Sequence, residues 1–530
     1  MSGDAPGVPA GGGDQRALVA RLRAVIEAKD AEIGVLRGEL EASREQFRRL
    51  ELRVAELERR LGQDSTTSGT PPSRDPIGTR EQRKAERARQ RQSSERERRK
   101  DRKRGGQPGH PGTGLPRDPD PDERAEMPPP AECLRCGAGL DAVLHRSGAW
   151  WSQVRDVRIA SFVTEYLLPL LTCPCCGKVS AAAAPPWAYP GSVSYGPGIN
   201  TAAVLLSSYG NVPAERTANL IGMLLGVPVS PGFVDLASER LSARLQDAGF
   251  DDAMQAALGN EPALAADETP VNLTDPHAGL AEQDAGAPQV LVIRTPHQGL
   301  TWLQALGSRQ HAAITAVLAF FTGFLISDGY GAYQDLLPKL AGVQQCCQHV
   351  IRRARAVTKL GPGGLQSWAA DVIEILREAH RAVQDALARG DPVLDEQLLA
   401  KLRERYDEAV AFGITHNRLR DWHEGNHPGY TLGCWLRDYK EQVWLFTREF
   451  CVEWTNNCSE QAIKAAKRHQ AVSGYWHTPR TLARWCRIRS YLDSAANHGL
   501  TALDAITRAL AEDPWLPAQA ALKPQPMSHP

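Results

Sequence analysis

Between Leu264 and Tyr330 the sequence holds four short apolar runs and one helical stretch, and its first and last runs each reach an aspartate. Leu264–Pro270 (LAADETP) reads as a strand carrying Asp267. Gln289–Thr295 and Leu300–Leu306 flank Pro296-His297-Gln298-Gly299 as a hairpin. His311–Phe321 has a helical pattern, and Gly323–Tyr330 is a further buried strand ending at Asp328. If the first and fourth strands are neighbours, their ends bring Asp267 and Asp328 together.

Strand, hairpin, helix, strand with acids at those ends suggests a ribonuclease-H-like sheet. Paired carboxylates are hard oxygen ligands that suit Mg²⁺, with Mn²⁺ as an alternative. Two such ions clamp the attacking and leaving oxygens of a phosphoryl displacement. A third carboxylate is expected from Glu460, in Trp454–Arg468 (WTNNCSEQAIKAAKR). Lys464 and Lys467 follow it at helical spacing and are expected on its face of the helix, near DNA. Glu453 lacks such cations, and strand alternation turns Glu268 away from Asp267. The catalytic core is then residues 260–342 and 450–498. The long gap, 343–449, is too long for a loop and is expected as a helical insertion. Within it Arg352, Arg353 and Arg355 offer a lining for a DNA channel, whereas Cys347 and His349 are expected to pack in the core.

Formal charge is +0, so partners must be read from the distribution of charge. Ile26, Ile33, Leu40, Phe47, Val54 and Leu61 share one heptad phase, with Leu22, Leu36, Leu50 and Leu57 in the companion phase. Residues 16–62 are therefore expected as a coiled coil joining chains into a homodimer or higher oligomer. The polar, Pro-containing stretch after it begins a basic, disordered linker, 63–115. Its Arg98, Arg99, Lys100, Arg102, Lys103 and Arg104 are expected to contact DNA phosphates, releasing counterions without reading sequence.

Eleven cysteines include two Cys-x-x-Cys pairs, Cys133/Cys136 and Cys173/Cys176, each followed by glycine. Two such knuckles, with a strand-like stretch Val154–Tyr166 between them, predict a zinc ribbon over 128–182. Its structural Zn²⁺ would supply folding energy, and Cys175 is an alternative ligand. Residues 195–258 read as a helical, helix-turn-helix-like DNA-binding region: a helix over Glu215–Leu225, a turn at Val227–Val229, then a helix with Arg240 and Arg244. Residues 512–530 are expected as a disordered tail. No apolar leader follows the first residues, and Ala312–Ile326 is too short and interrupted to span a membrane, which predicts a cytoplasmic, nucleoid-associated protein.

The whole is a multidomain α+β chain, and its motifs resemble the insertion-sequence-66 family of transposases over nearly its full length. The resemblance rests on the heptads followed by DSTTSGTPPSRD, on KRGGQPGHPG, on CLRCG and CPCCG, and on ADETP, SDGYGAY and TNNCSEQAIK in that order. It implies an aspartate–aspartate–glutamate core of ribonuclease-H-like fold. Asp267, Asp328 and Glu460 would hold the metal, and double-stranded DNA at the element's terminal inverted repeats and at a target would be the substrate. Lys467 resembles the basic residue such enzymes use to hold DNA, and element-encoded accessory proteins are implied as partners. Many family members carry arginine directly after the glutamate, where this chain has Gln461. From the residues alone, a nuclease of the same fold and a non-catalytic DNA-binding protein derived from a transposase remain open.

Overall fold

The computed structural model describes residues 12–61, 115–141, 150–157, 159–276, 287–297, 299–360 and 364–517. The basic residues between Arg98 and Arg104 lie outside these. The chain divides into two compact units, one of Met1–Pro76, Tyr195–Thr217 and Pro231–Pro530, the other of Ile77–Ser194 and Ala218–Ser230.

In the smaller unit β1 (Leu170–Thr172) and β2 (Val179–Ala181) form an antiparallel hairpin. The apolar stretch Val154–Tyr166, expected as strand, forms none among its described residues. Val154, Phe162 and Val163 are exposed, so no partner surface converts their strand propensity into pairing.

The larger unit opens with α1 (Gly12–Leu61), whose heptad residues Ile26, Ile33, Leu40, Phe47 and Val54 are all exposed. Helices α2 (Pro197–Val204), α3 (Ala214–Leu225, shared with the smaller unit), α4 (Pro231–Asp247) and α5 (Phe250–Gly259) lead to the sheet. The sheet is built from β3 (Ala263–Pro270), β4 (Gln289–Arg294), β5 (Thr301–Leu306), β6 (Phe324–Ser327) and β7 (Gly342–Gln345), in spatial order β5-β4-β3-β6-β7. Neighbours are antiparallel from β5 to β3 and parallel from β3 to β7. Short helices α6 (His311–Leu318) and α7 (Gly331–Gln334) flank β6 in the chain.

β7 corrects one expected boundary, because residues 343–345 were assigned to the helical insertion and instead complete the sheet. The helical segment follows as α8 (Cys347–Thr358), α9 (Ser367–Arg389), α10 (Glu396–Asn417), α11 (Pro428–Asp438) and α12 (Lys440–Val443). The chain then returns through α13 (Asn457–Ser473), α14 (Pro479–Asn497) and α15 (Ala502–Leu510). Of the expected tail, residues 512–517 are described and held in place, the Trp515 ring lying 4.8 Å from His498 and the Trp515 backbone N–H donating to Tyr491 Oη, while residues 518–530 lie outside the described residues.

Two hydrophobic cores cover one face of the sheet. Ala263, Ala265 and Ile326 pack with α8 and α9, while Val290, Val292 and Leu303 pack with α13 and α14. Cross-strand partners share a face, and Ala265 pairs with Ile326 while Asp267 pairs with Val292 and Val292 with Leu303. Asp267 therefore projects from the same face that both cores cover. The edge strand β5 is closed by α14, whose Ser494 and Ser490 hydroxyl oxygens accept from Thr301 N–H and Leu303 N–H.

Candidate active site and metal knuckles

The parallel register of β3 and β6 pairs Ala263 with Phe324, Leu264 with Leu325 and Ala265 with Ile326. Carried two residues on, it sets Asp267 beside Asp328. Asp328 turns its carboxylate back to accept Tyr330 N–H at 2.9 Å, and Asp267 accepts Glu268 N–H at 3.0 Å. Both are partly exposed: Asp328 follows the end of β6, whereas Asp267, expected to end its strand, lies within β3, two residues past its last pair with β6.

Glu460 stands in the first turn of α13, where the helix dipole favours negative charge, and its own charge is felt at Asp267. Its helix start is tied down. Asn456 Nδ2 donates to the Ala266 carbonyl at 2.8 Å, Asn456 N–H donates to Cys346 Sγ at 3.2 Å, and the Asn456 carbonyl accepts Glu460 N–H at 3.1 Å. Cys346 N–H in turn donates to the Ser327 carbonyl, and Cys347 N–H to the Trp454 carbonyl. These bonds lock the middle of β3, the end of β6 and the starts of α8 and α13 to one another.

The acids feel each other. Burial, followed by the charges of Glu268, Asp328 and Glu460, pushes Asp267 well above the usual carboxylate range. Glu268 faces the other side of the sheet, as strand alternation requires, and its buried carboxylate accepts from Arg309 Nε at 2.8 Å and from the Tyr333 hydroxyl.

The groups that face Glu460 come from α8, not from its own helix. Arg352 Nη2 lies 3.6 Å from Glu460 Oε2, His349 Nδ1 lies 3.8 Å from Glu460 Oε1, and Arg352 Nη1 is 3.3 Å from His349 Nε2. Lys464 and Lys467 are exposed, and among the described residues neither makes an ion pair. His349 is thus corrected: expected as core packing, it faces an acid, while its neighbour Cys347 is buried in the core. Burial, outweighing the pull of Glu460, holds the His349 imidazole below its ordinary value. Arg353 stacks on Trp435, 4.5 Å from the ring centre. Sequence reasoning also missed Asn456, although an Asn pair ahead of a helix is a recognisable N-terminal signal.

Arg240 and Arg244, expected on a DNA-reading helix, are engaged within the larger unit. Arg240 donates to Asn200 Oδ1 at 2.8 Å, and Arg244 pairs with Glu512 at 2.7 Å.

The two cysteine pairs adopt the same turn. Gly137 N–H donates to the Cys133 carbonyl and Gly177 N–H to the Cys173 carbonyl, both at 2.9 Å, with φ of +70° and +69° at the glycines. Backbone N–H groups of Arg135 and Cys136 hold the Cys133 thiol below its usual range, and those of Cys176 and Cys175 do so for Cys173. Cys136, Cys175 and Cys176 are exposed. Each knuckle is shaped to present thiolates. Among the described residues, however, the four thiols do not gather within 4.8 Å, and the group that does is Cys346, His349 and Glu460.

A family model described as "Transposase IS66 family" matches residues 192–483, which takes in all five core strands, α8 and α13. The match spans more than half of the 530 residues, and the chain belongs to the IS66 family of transposases. A second model, for a family of unknown function (DUF6444), matches residues 14–116, which run from α1 into the basic segment. No curated protein matches the chain. Among the described residues no helix is long and apolar enough to cross a membrane.

Proposed function

We propose that this transposase cleaves DNA at the ends of its element and joins them to target DNA, with Asp267, Asp328 and Glu460 as its catalytic acids. The observation that carries the reading is the adjacency of Asp267 on β3 to Asp328 just past β6, with the charge of Glu460, from the first turn of α13, also acting on Asp267. The sheet order, with an antiparallel β5-β4-β3 half and a parallel β3-β6-β7 half, supports a ribonuclease-H-like core.

The donor set fits Mg²⁺ or Mn²⁺: three carboxylates, one of them with its Oε1 enclosed and lacking a hydrogen-bond partner. The three are not all within 4.8 Å of one another. Shared between two ions, such a set need not close around a single point. When bound, such ions would activate the attacking oxygen and stabilise the leaving one. In the first step the oxygen of water bonds to phosphorus as the bond to the element's 3′-oxygen breaks, freeing a 3′-hydroxyl. In the second, that hydroxyl attacks a target phosphate and displaces a target 3′-oxygen.

The protein's own groups orient these reactants. Asn456 fixes the start of the Glu460 helix against β3, and Arg352 restrains the Glu460 carboxylate. Lys464 and Lys467 stand free on the same helix for phosphate contacts, and the basic segment with Arg98, Arg99, Lys100, Arg102, Lys103 and Arg104 adds non-specific affinity. The knuckles at Cys133/Cys136 and Cys173/Cys176 fit a structural Zn²⁺, and the α1 seam fits self-association.

The test is to incubate the purified protein with Mg²⁺ and DNA bearing the element's ends. End-specific cleavage with joined products is expected. Cutting without end preference or joining would make it a nuclease, and binding without cutting would leave a DNA-binding protein.

A further inference from the structure

One three-ligand cluster shares Glu460 with the proposed magnesium set and takes its other two donors from the start of α8. Cys346 occupies the N-cap of α8, His349 follows three residues later on the same face, and Glu460 arrives from α13. Their ligand atoms all lie within 4.8 Å of one another. His349 Nδ1 and Glu460 Oε1 are both enclosed and both lack a hydrogen-bond partner, and at 3.8 Å they are too far apart to satisfy each other. Two orphaned polar atoms turned toward a thiol point to a ligand.

The chemistry of the three donors selects that ligand. A thiolate, an imidazole and a carboxylate suit Zn²⁺ and its spectroscopic substitute Co²⁺, whereas Mg²⁺ takes oxygen. Zn–S and Zn–N bonds of about 2.3 and 2.0 Å at tetrahedral angles set ligands roughly 3.3–3.6 Å apart. The observed spacing needs only a small side-chain closure to reach that. Arg352, 3.6 Å from the other Glu460 oxygen, opposes a cation here, and burial pushes the Cys346 thiol up to about 11, so a bound ion has to displace that proton. Once it does, thiolate and carboxylate together outweigh the single charge of Arg352. Three protein ligands leave a fourth position open, unlike a closed structural site.

We propose that Cys346, His349 and Glu460 form a site for a borderline divalent ion, Zn²⁺ or Co²⁺, which withdraws Glu460 from Asp267 and Asp328. Binding stands on the cluster alone, while the consequence, inhibition by zinc, rests on the proposed catalytic role of Glu460. Loading this site sets the enzyme idle, and release of the ion returns the carboxylate to the acid group.

The test compares full-length wild type with Cys346→Ser, which keeps an acceptor for Asn456 N–H, and with His349→Gln, each first shown to be folded by circular dichroism. After equilibration with excess Zn²⁺ and removal of free metal, wild type should hold one more ion per chain than either variant, the knuckle cysteines being the same in all three. With Co²⁺, wild type should show additional thiolate-to-metal absorption that Cys346→Ser lacks. Equal metal content and equal spectra in all three would overturn the site. In Mg²⁺-supported cleavage, half-inhibition by Zn²⁺ should need at least tenfold more metal for Cys346→Ser than for wild type. A difference in binding with equal inhibition would leave the site standing and overturn the link to Glu460.

Discussion

Asn456 donates through Nδ2 to the carbonyl of Ala266, the residue directly before Asp267, at 2.8 Å. One buried amide therefore joins the strand of the first acid to the helix of the third. Glu460 N–H closes back onto the Asn456 carbonyl, so movement at Asn456 is passed to the Glu460 carboxylate. Asn456→Ala leaves the Ala266 carbonyl without this donor and removes a fully buried side chain. Such a loss costs about 1–3 kcal/mol. The expected result is a lower denaturation midpoint together with slower DNA cleavage and unchanged DNA affinity. Urea unfolding, cleavage kinetics and a gel-shift measurement check the three parts, and weaker DNA binding in folded protein would count against a positioning role.

Asp267→Asn should abolish both cleavage and strand transfer while keeping DNA binding. The amide lacks the negative charge that would hold the metal ion, so both steps should fail together. Equal loss of binding in the folded variant would remove Asp267 from the catalytic set.

The same variant has an opposite effect on stability. Burial and three neighbouring acids raise the Asp267 pKa in the folded chain above its unfolded value, so the folded state holds that proton more tightly. As pH rises from the ordinary carboxylate range toward the raised value, this group lowers stability, and the loss is complete above that value. In Mg²⁺-free buffer at neutral pH, Asp267→Asn should melt higher than wild type, and the gap should close as the pH is lowered toward 4. A melting series over pH reads this directly. A variant that melts lower at every pH would contradict it.

Much of the sheet was legible because β3, β4, β5 and β6 are apolar runs bounded by Gly, Pro and polar turns. β7 was not. Gly342–Gln345 has one aliphatic residue, and its buried glutamines are accommodated only by distant partners. Gln344 donates to the Val443 carbonyl and accepts from Phe446 N–H, while Gln345 donates to Gln442. No local periodicity encodes such bonds. Asp267 and Asp328 could be paired in advance because each belongs to or directly follows a recognisable apolar run, although β3 continues past Asp267 to Pro270. The partners of Glu460 could not: i+4 and i+7 spacing favoured Lys464 and Lys467, while the neighbours are His349 and Arg352, more than 100 residues away in the chain. The apolar stretch Val154–Tyr166 failed in the opposite sense, having strand propensity without a surface to pair on.

Glu268 offers a test of the support behind β3. Its carboxylate is enclosed, while its partner Arg309 is half exposed. Arg309→Ala leaves an acid buried with only the Tyr333 hydroxyl, and is expected to cost about 1–3 kcal/mol. Glu268→Gln combined with Arg309→Ala should recover part of that loss, because the amide carries no charge to strand. A double-mutant cycle in denaturant measures the coupling, and simple additivity would mean that the pair contributes nothing.

The knuckles give a prediction independent of catalysis. Purified protein without added metal should carry about one tightly held Zn²⁺ per chain if both pairs close on one ion. Cys133→Ser and Cys173→Ser should each lower that content, because removing one thiolate from either half leaves an incomplete four-ligand set. Their turns are alike, so the two variants should lose zinc to a similar extent. Elemental analysis of folded protein decides the matter. If only one of the two variants loses zinc, the ion belongs to that knuckle alone, and a ribbon closed by both is excluded.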